Sequence, residues 1–253
     1  MSSSLEGYSA FITGGGTGLG RSHARVLASR GAKVAITDYK QEHLDEAKAE
    51  LAREGLDVLV LRADNRVVAE VKDAVAQAHN AFGKVDILIN NAGISGMHAH
   101  IEEIDERFYD DMVGTHVKGA FFAAQAAVPG MKQRRFGRII NTGSSFAMTG
   151  SPAMSHYTLA KGALTAVARA WARELGPYGI TVNTVSPGLT DTPMPRGDLT
   201  PDLLRQIVSG MVIGRTLKPE EISYVVAFLA SREADAITGQ NFSPNGGQAI
   251  VGI

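Results

Sequence analysis

Apolar residues along this chain come in short runs, separated by longer stretches in which they recur every three or four positions. The runs at 8–13, 33–37, 57–63, 85–90, 137–144 and 180–185 end in or are followed at once by Gly, Asp, Asn or Ser and predict strands. A helical period follows the first run through His23, Val26 and Leu27 toward Gly31. The same period returns at 41–53, 67–82, 105–134, from Tyr157 to about Gly176, and at 220–230, with a last short strand at 240–242. Strands alternating with helices predict an α/β fold around a parallel sheet, because parallel neighbours need a crossover connection.

Length and composition fit that pattern and narrow the function. The 253 residues suit one α/β domain over the whole of 1–253, and no linker, low-complexity tract or repeat divides it. The formal charge of -1, with Lys and Arg scattered among Asp and Glu, gives no field that would attract a nucleic acid. Without cysteine, thiolate nucleophiles, disulfides and Cys-ligated metals are excluded, and the absence suits a reducing compartment. The start of the chain lacks the basic and apolar regions of a signal peptide, and no run approaches the ~18 apolar residues of a membrane span. The expectation is a soluble, cytoplasmic protein with no membrane partner.

Candidate chemistry sits where the strands end. The first run leads into Thr13, Gly14, Gly15, Gly16, Thr17, Gly18, Leu19 and Gly20, and then into a helix. Glycines let the backbone turn tightly and approach a ligand, and the free N–H groups at a helix start attract phosphate. A dinucleotide pyrophosphate suits such a turn. Asp38 ends the second strand at the distance where an acid accepts hydrogen bonds from an adenosine ribose; its charge repels a 2′-phosphate and favours NAD over NADP. Asp64 follows the third strand, and Asn90, Asn91, Ala92 and Gly93 follow the fourth. Tyr157 and Lys161 lie one turn apart on one helix face, an arrangement in which the ammonium lowers the pKa of the phenol. Ser144 would steady a substrate oxygen beside them. The plainer alternative is a packed Tyr157, a solvated Lys161 and a turn-capping Ser144.

The joint order of TGGGTGLG at 13–20, NNAG at 90–93, Ser144, YTLAK at 157–161 and Pro187-Gly188 closely resembles the short-chain dehydrogenase/reductase family over essentially the whole chain. The resemblance implies a Rossmann-like doubly wound sheet with helices on both faces and no metal. It implies that Thr13, Gly14, Gly16, Thr17, Gly18, Leu19 and Gly20 form the cofactor turn, Asp38 binds the ribose, and Asp64 with Asn65 meets the adenine. Asn91, Ala92 and Gly93 would lie beside the nicotinamide ribose, Thr192 would meet the nicotinamide carboxamide, Thr190 would offer backbone contacts, and Pro187 and Gly188 would belong to the same cofactor site. Tyr157 would be the general acid/base, with Ser144 holding the reacting oxygen and Lys161 bonding the ribose hydroxyls and lowering the tyrosine pKa. A homotetramer is the family expectation.

His116 departs from the pattern, standing where the family usually has an asparagine that helps hold a water on the route from the lysine to solvent. It is either a tolerated substitution or a member of the relay whose titration enters the pH–rate profile. Ser243 to Gly247 replaces the usual V-D-G-G. Phe146, Met148, Met154, Met194 and Met211 suggest walls for an apolar alcohol or ketone, and the Pro- and Gly-bearing stretch at 193–204 suggests a lid within about 190–216, open to protease near Arg196. The reading is an NAD-dependent oxidoreductase of secondary alcohols and ketones. A 3-oxoacyl-thioester reductase and a non-catalytic NAD-sensing or scaffold protein are the alternatives.

Overall fold

A computed structural model describes residues 4–95, 98–194 and 200–251. Seven parallel strands form one sheet in the order β3-β2-β1-β4-β5-β6-β7. They are β1 (Ser9–Ile12), β2 (Lys33–Asp38), β3 (Val58–Arg62), β4 (Ile87–Asn90), β5 (Gly137–Thr142), β6 (Ile180–Val185) and β7 (Asn241–Phe242). The order reverses between β1 and β4, so the loops after these two strands diverge and leave a crevice at the carboxyl edge of the sheet. Both candidate loops, 13–20 and 91–94, fall there.

Alternation along the strands fills two apolar layers. Ala10, Ile12, Ile87, Ile89 and Ile140 face one way and meet α1 (Gly18–Ser29), α2 (Gln41–Arg53) and α9 (Pro219–Ala230) through Leu27, Leu44 and Ile222. Phe11, Leu88 and Ile139 face the other way and meet α3 (Val68–Phe82), α5 (Gly119–Arg134) and α7 (Ser155–Leu175) through Val75, Met131 and Leu175. The central strands are buried on both faces, which explains why they read as unbroken apolar runs.

The long helical stretch at 105–134 is three pieces. α4 (Glu106–Val113) starts at Asp105, whose side chain accepts from the Phe108 N–H, and a π-helical turn at Gly114–Lys118 separates it from α5. Within the 193–204 stretch, expected to form a lid, α8 (Pro201–Ser209) is started by the Thr200 hydroxyl accepting from the Leu203 N–H. A short α6 (Phe146–Thr149) precedes α7 and was not expected. Arg196, expected to be protease-accessible, lies outside the described residues.

Candidate active site

The glycine turn is fixed by backbone packing. Gly14 and Gly18 have φ of +64° and +51°, in the left-handed region that favours glycine. A Cβ on Gly20 would lie 2.0 Å from the Gly14 carbonyl oxygen, so only glycine lets the first turn of α1 close on the loop. Gly15, which the sequence reading did not single out, donates to the Thr37 carbonyl at 2.7 Å and lies against Ile36. The Thr13 hydroxyl accepts from the Asn91 and Ala92 N–H groups, both at 3.0 Å, and the Asn91 amide donates to the Thr13 and Gly14 carbonyls at 3.1 and 3.0 Å. These bonds staple the two loops at the switch point and leave the start of α1 without a side-chain cap.

Asp38 is buried at the end of β2. Its Oδ1 accepts the Lys40 N–H at 3.1 Å, and Oδ2 stands 2.7 Å from where a Gly16 Cβ would be. Asp64 lines the same cavity with its carboxylate held by Arg66, whose guanidinium also reaches Asp111 at 2.7 Å and keeps Asp64 below the usual carboxylate range. Asn65 gives its amide to the Thr115 carbonyl in the π-turn at 2.7 Å. Thus the two residues expected beside an adenine also tie the loop after β3 to α4 and the π-turn. Arg66 escapes a motif reading because its partner Asp111 is remote in sequence.

Ser144 follows β5 and contacts the Tyr157 phenol, and its Oγ accepts the Phe146 N–H at 3.2 Å. Lys161 is buried; its Nζ donates to the Thr142 carbonyl at 2.9 Å and stands 5.7 Å from the Tyr157 ring centre. Burial lowers Lys161 to about 7. Burial pushes the Tyr157 phenol up, and the Ser144 bond opposes that shift. This differs from the expected lowering by Lys161. The Lys161 Nζ is directed to the Thr142 carbonyl and is itself desolvated, and at the phenol burial is the larger effect.

His116 lies in the π-turn, edge-on to Tyr157 with ring centres 5.6 Å apart. Its Nε2 is 2.8 Å from the Ile94 carbonyl oxygen and 3.0 Å from the Ile94 nitrogen. A Cβ on Gly93 would meet the ring at 2.5 Å. Burial first, then the Lys161 charge, pushes the imidazole well below its ordinary range, so it stays neutral near pH 7. It braces the 91–94 loop and the phenol, and its titration falls outside the neutral window in which the relay idea placed it.

Pro187 accepts the Ser145 N–H at 3.0 Å, and Gly188 donates to the Pro244 carbonyl at 3.3 Å. Thr190 bonds back to the Gly188 carbonyl at 2.9 Å and pairs with Leu217, which closes the two ends of the 190–216 segment on each other. Thr192 sits over Gly18. Gln248, unnoticed in the sequence, accepts the Leu189 N–H at 2.8 Å, so the segment after β7 braces the loop after β6. Phe146, Met154 and Met194 line the cavity as expected, joined by Phe108, Ile207 and His98, whereas Met211 is buried in the core under α9. Phe108 belongs to a helix far from the motifs, and no spacing in the sequence points to it.

The cavity lined by Gly14, Gly18, Asp38, Ser144, Tyr157 and Lys161 has a volume of about 920 Å³. Its glycine-walled end, uncapped helix start and buried carboxylate fit the pyrophosphate and ribose of a dinucleotide; the Ser144, Tyr157 and Lys161 end fits a reacting oxygen. A parallel sheet with its crevice at the switch point, and a phenol, hydroxyl and ammonium gathered beyond it, define a nucleotide-dependent oxidoreductase acting on CH–OH groups. The chain belongs to the short-chain dehydrogenase/reductase family, whose members use NAD(P). A family model described as enoyl-(acyl carrier protein) reductase matches residues 14–249. The 3-oxoacyl-[acyl-carrier-protein] reductase of Thermotoga maritima is 35% identical over 251 residues, 97% of this chain and 99% of that protein. The 2-(S)-hydroxypropyl-CoM dehydrogenase 3 of Xanthobacter autotrophicus is 34% identical over 256 residues, 99% of this chain and 100% of that protein. Among solved structures, a dehydrogenase/reductase of Sinorhizobium meliloti superposes with a TM-score of 0.90 at 34% identity, covering 98% of this chain and 97% of the other. A short-chain dehydrogenase/reductase of Serratia marcescens does so at 0.89 and 36%, covering 96% and 98%. No described helix is long and apolar enough to cross a membrane.

Proposed function

We propose that the chain interconverts a secondary alcohol and a ketone with NAD(H), with Tyr157 as general acid/base. The observation that carries the reading is the meeting of Tyr157, Ser144 and Lys161 in one cavity that ends on Asp38. In the oxidative direction, Tyr157 removes the alcohol proton while Ser144 holds the same oxygen through its hydroxyl. In the reductive direction, Tyr157 returns the proton to the forming alkoxide. Bound nicotinamide supplies the hydride acceptor or donor. Lys161 would bond the ribose hydroxyls of the bound dinucleotide, and its charge would there favour the phenolate. Asp38 accepts from the ribose and opposes a 2′-phosphate. His116 keeps the phenol and the 91–94 loop in place as a neutral ring.

The apolar lining from Phe108, Phe146, Met154 and Met194 favours an apolar carbonyl compound. A 3-oxoacyl thioester is the second reading, supported by the name of the Thermotoga relative. The protein is taken to act in the cytoplasm as a homotetramer, which light scattering tests. The function is tested by the melting temperature with NADH and with NADPH, and by turnover over a panel of alcohols, ketones and a 3-oxoacyl thioester. A larger shift with NADH and turnover of a simple secondary alcohol support the first reading. Exclusive turnover of the thioester would replace it with the second, and cofactor binding without turnover would point to a sensor.

A further inference from the structure

Asp38 has a second neighbour besides the Lys40 N–H. His43, in the first turn of α2, places Nδ1 3.2 Å from Asp38 Oδ1. An imidazole nitrogen facing a carboxylate is favourable only as a donor, so Nδ1 carries the proton and Nε2 is left to take up another. The His43 side chain is 30% exposed and the Asp38 side chain 7%. Both line the cavity, and a Cβ on Gly16 would stand 2.7 Å from Asp38 Oδ2 and from His43 Cβ alike. The glycine turn, the carboxylate and the imidazole therefore close around one spot, at the far end of the cavity from Tyr157.

The other charges around this pair are committed elsewhere. Arg21 of α1 donates to the Gly16 carbonyl at 2.9 Å and pairs with Glu50 and Glu46 of α2. Arg62, opposite Asp38 on β3, faces Glu70 at 3.7 Å. Lys40 uses its backbone N–H on Asp38 and sets its ammonium over the exposed Tyr39 ring, 5.4 Å from the centre. His43 is thus the cationic group bonded directly to the carboxylate once it is protonated.

Resting on the reading of Asp38 as the ribose-binding acid, we propose that His43 sets the strictness of NAD over NADP and makes it depend on pH. With His43 neutral the pair carries one negative charge, which repels a 2′-phosphate. One proton from solvent on Nε2 brings the pair to zero, and the same site then tolerates the phosphate.

The test is the dissociation constant of NADH and of NADPH, read by nucleotide fluorescence, for the wild type, His43→Gln and His43→Lys between pH 8.5 and 5.5. In the wild type the preference for NADH falls about tenfold from pH 8.5 to 5.5, the size expected for one partly screened charge a few ångströms from a phosphate. The fall is several-fold smaller in His43→Gln, which keeps the donor without the charge and retains only the change that titration of the 2′-phosphate itself produces, and the preference is low at every pH in His43→Lys. The 2′-phosphate titrates in all three proteins, so the difference between wild type and His43→Gln isolates the imidazole. A wild-type preference that is present at pH 8.5 but does not change, or that falls equally in His43→Gln, overturns the proposal and leaves the NAD reading standing. Equal binding of NADH and NADPH by the wild type at pH 8.5 overturns the NAD reading itself, and this proposal with it.

Discussion

The two edges of the sheet use buried charge in opposite ways. At the amino edge, Asp86 and Arg138 are each paired with opposite charge, although burial still lowers Arg138. Asp86, 2% exposed, takes the Lys84 ammonium at 2.8 Å, the Arg134 guanidinium at 3.4 Å and the Ser9 N–H at 3.2 Å. Arg138, 1% exposed, bonds Asp235 and the Ser231 and Gly137 carbonyls and lies over the Phe136 ring at 4.4 Å, and Tyr8 stacks on the same Phe136 at 5.1 Å between ring centres. At the carboxyl edge, Lys161 is buried with one carbonyl and no carboxylate, and Tyr157 is held by a single serine. Matched charges hold the sheet together. Unmatched ones cost stability and stay available for chemistry, which is why the same sheet is a scaffold at one end and a site at the other.

Replacing one buried cation at each edge separates the two uses. Lys161→Met lowers kcat/KM by about 10³-fold or more. It also raises stability near pH 7 by about 2 kcal/mol, because an ammonium held down to about 7 by burial no longer has to be desolvated. That penalty is fully present below pH 7 and fades as the pH rises toward 10.5, so the stability gain of the variant shrinks in the same direction. Denaturant unfolding at pH 7 and 10 measures it. Arg138→Met has the reverse signature: a loss of about 3 kcal/mol, with KM for cofactor and kcat within about twofold of wild type, since two carbonyls and Asp235 lose their partner far from the cavity. Equal destabilisation by the two substitutions would break the comparison.

His23 sharpens it with pH. This imidazole, buried between α1 and α9, has Nδ1 2.8 Å from the Ser223 hydroxyl and is held down to about 3 from an ordinary 6.5. The unfolded chain takes up a proton below pH 6.5 that the native state refuses. Its contribution is therefore intact above pH 6.5 and is lost as the pH falls toward 3, reaching about 2 kcal/mol by pH 5. Unfolding free energies at pH 7 and 5 show this drop in the wild type and a smaller one in His23→Gln. His116 gives the smallest effect. Because its ring stays neutral, His116→Asn lowers kcat only about threefold through lost packing on Tyr157 and leaves both limbs of the kcat–pH profile within about 0.3 of a pH unit. A limb that moves by a full unit would place His116 in the proton path.

Most of the sheet and the outline of the site were legible in the sequence because both depend on short spacings. Apolar runs fixed the strands of the doubly wound sheet, and the glycine turn, Asp38 and the Tyr157–Lys161 spacing each declare their geometry within a few residues. What stayed hidden depends on contacts between distant positions. The π-turn interrupts an otherwise continuous helical pattern and carries a ring bonded to Ile94, while Arg66 ties Asp64 to Asp111. Gln248 reaches Leu189 from the far end of the chain. The direction of the Tyr157 shift was also out of reach, since it depends on where the Lys161 ammonium lies and not on its distance along the helix.

If the Tyr157 phenol moves the proton in a site built around a dinucleotide, Tyr157→Phe separates proton transfer from cofactor binding. Phenylalanine keeps the ring and removes only the hydroxyl. NADH should bind the variant within about threefold of the wild-type dissociation constant, while turnover of the best substrate falls by about 10³-fold or more. Turnover within about tenfold of wild type, with NADH binding intact, would contradict the account.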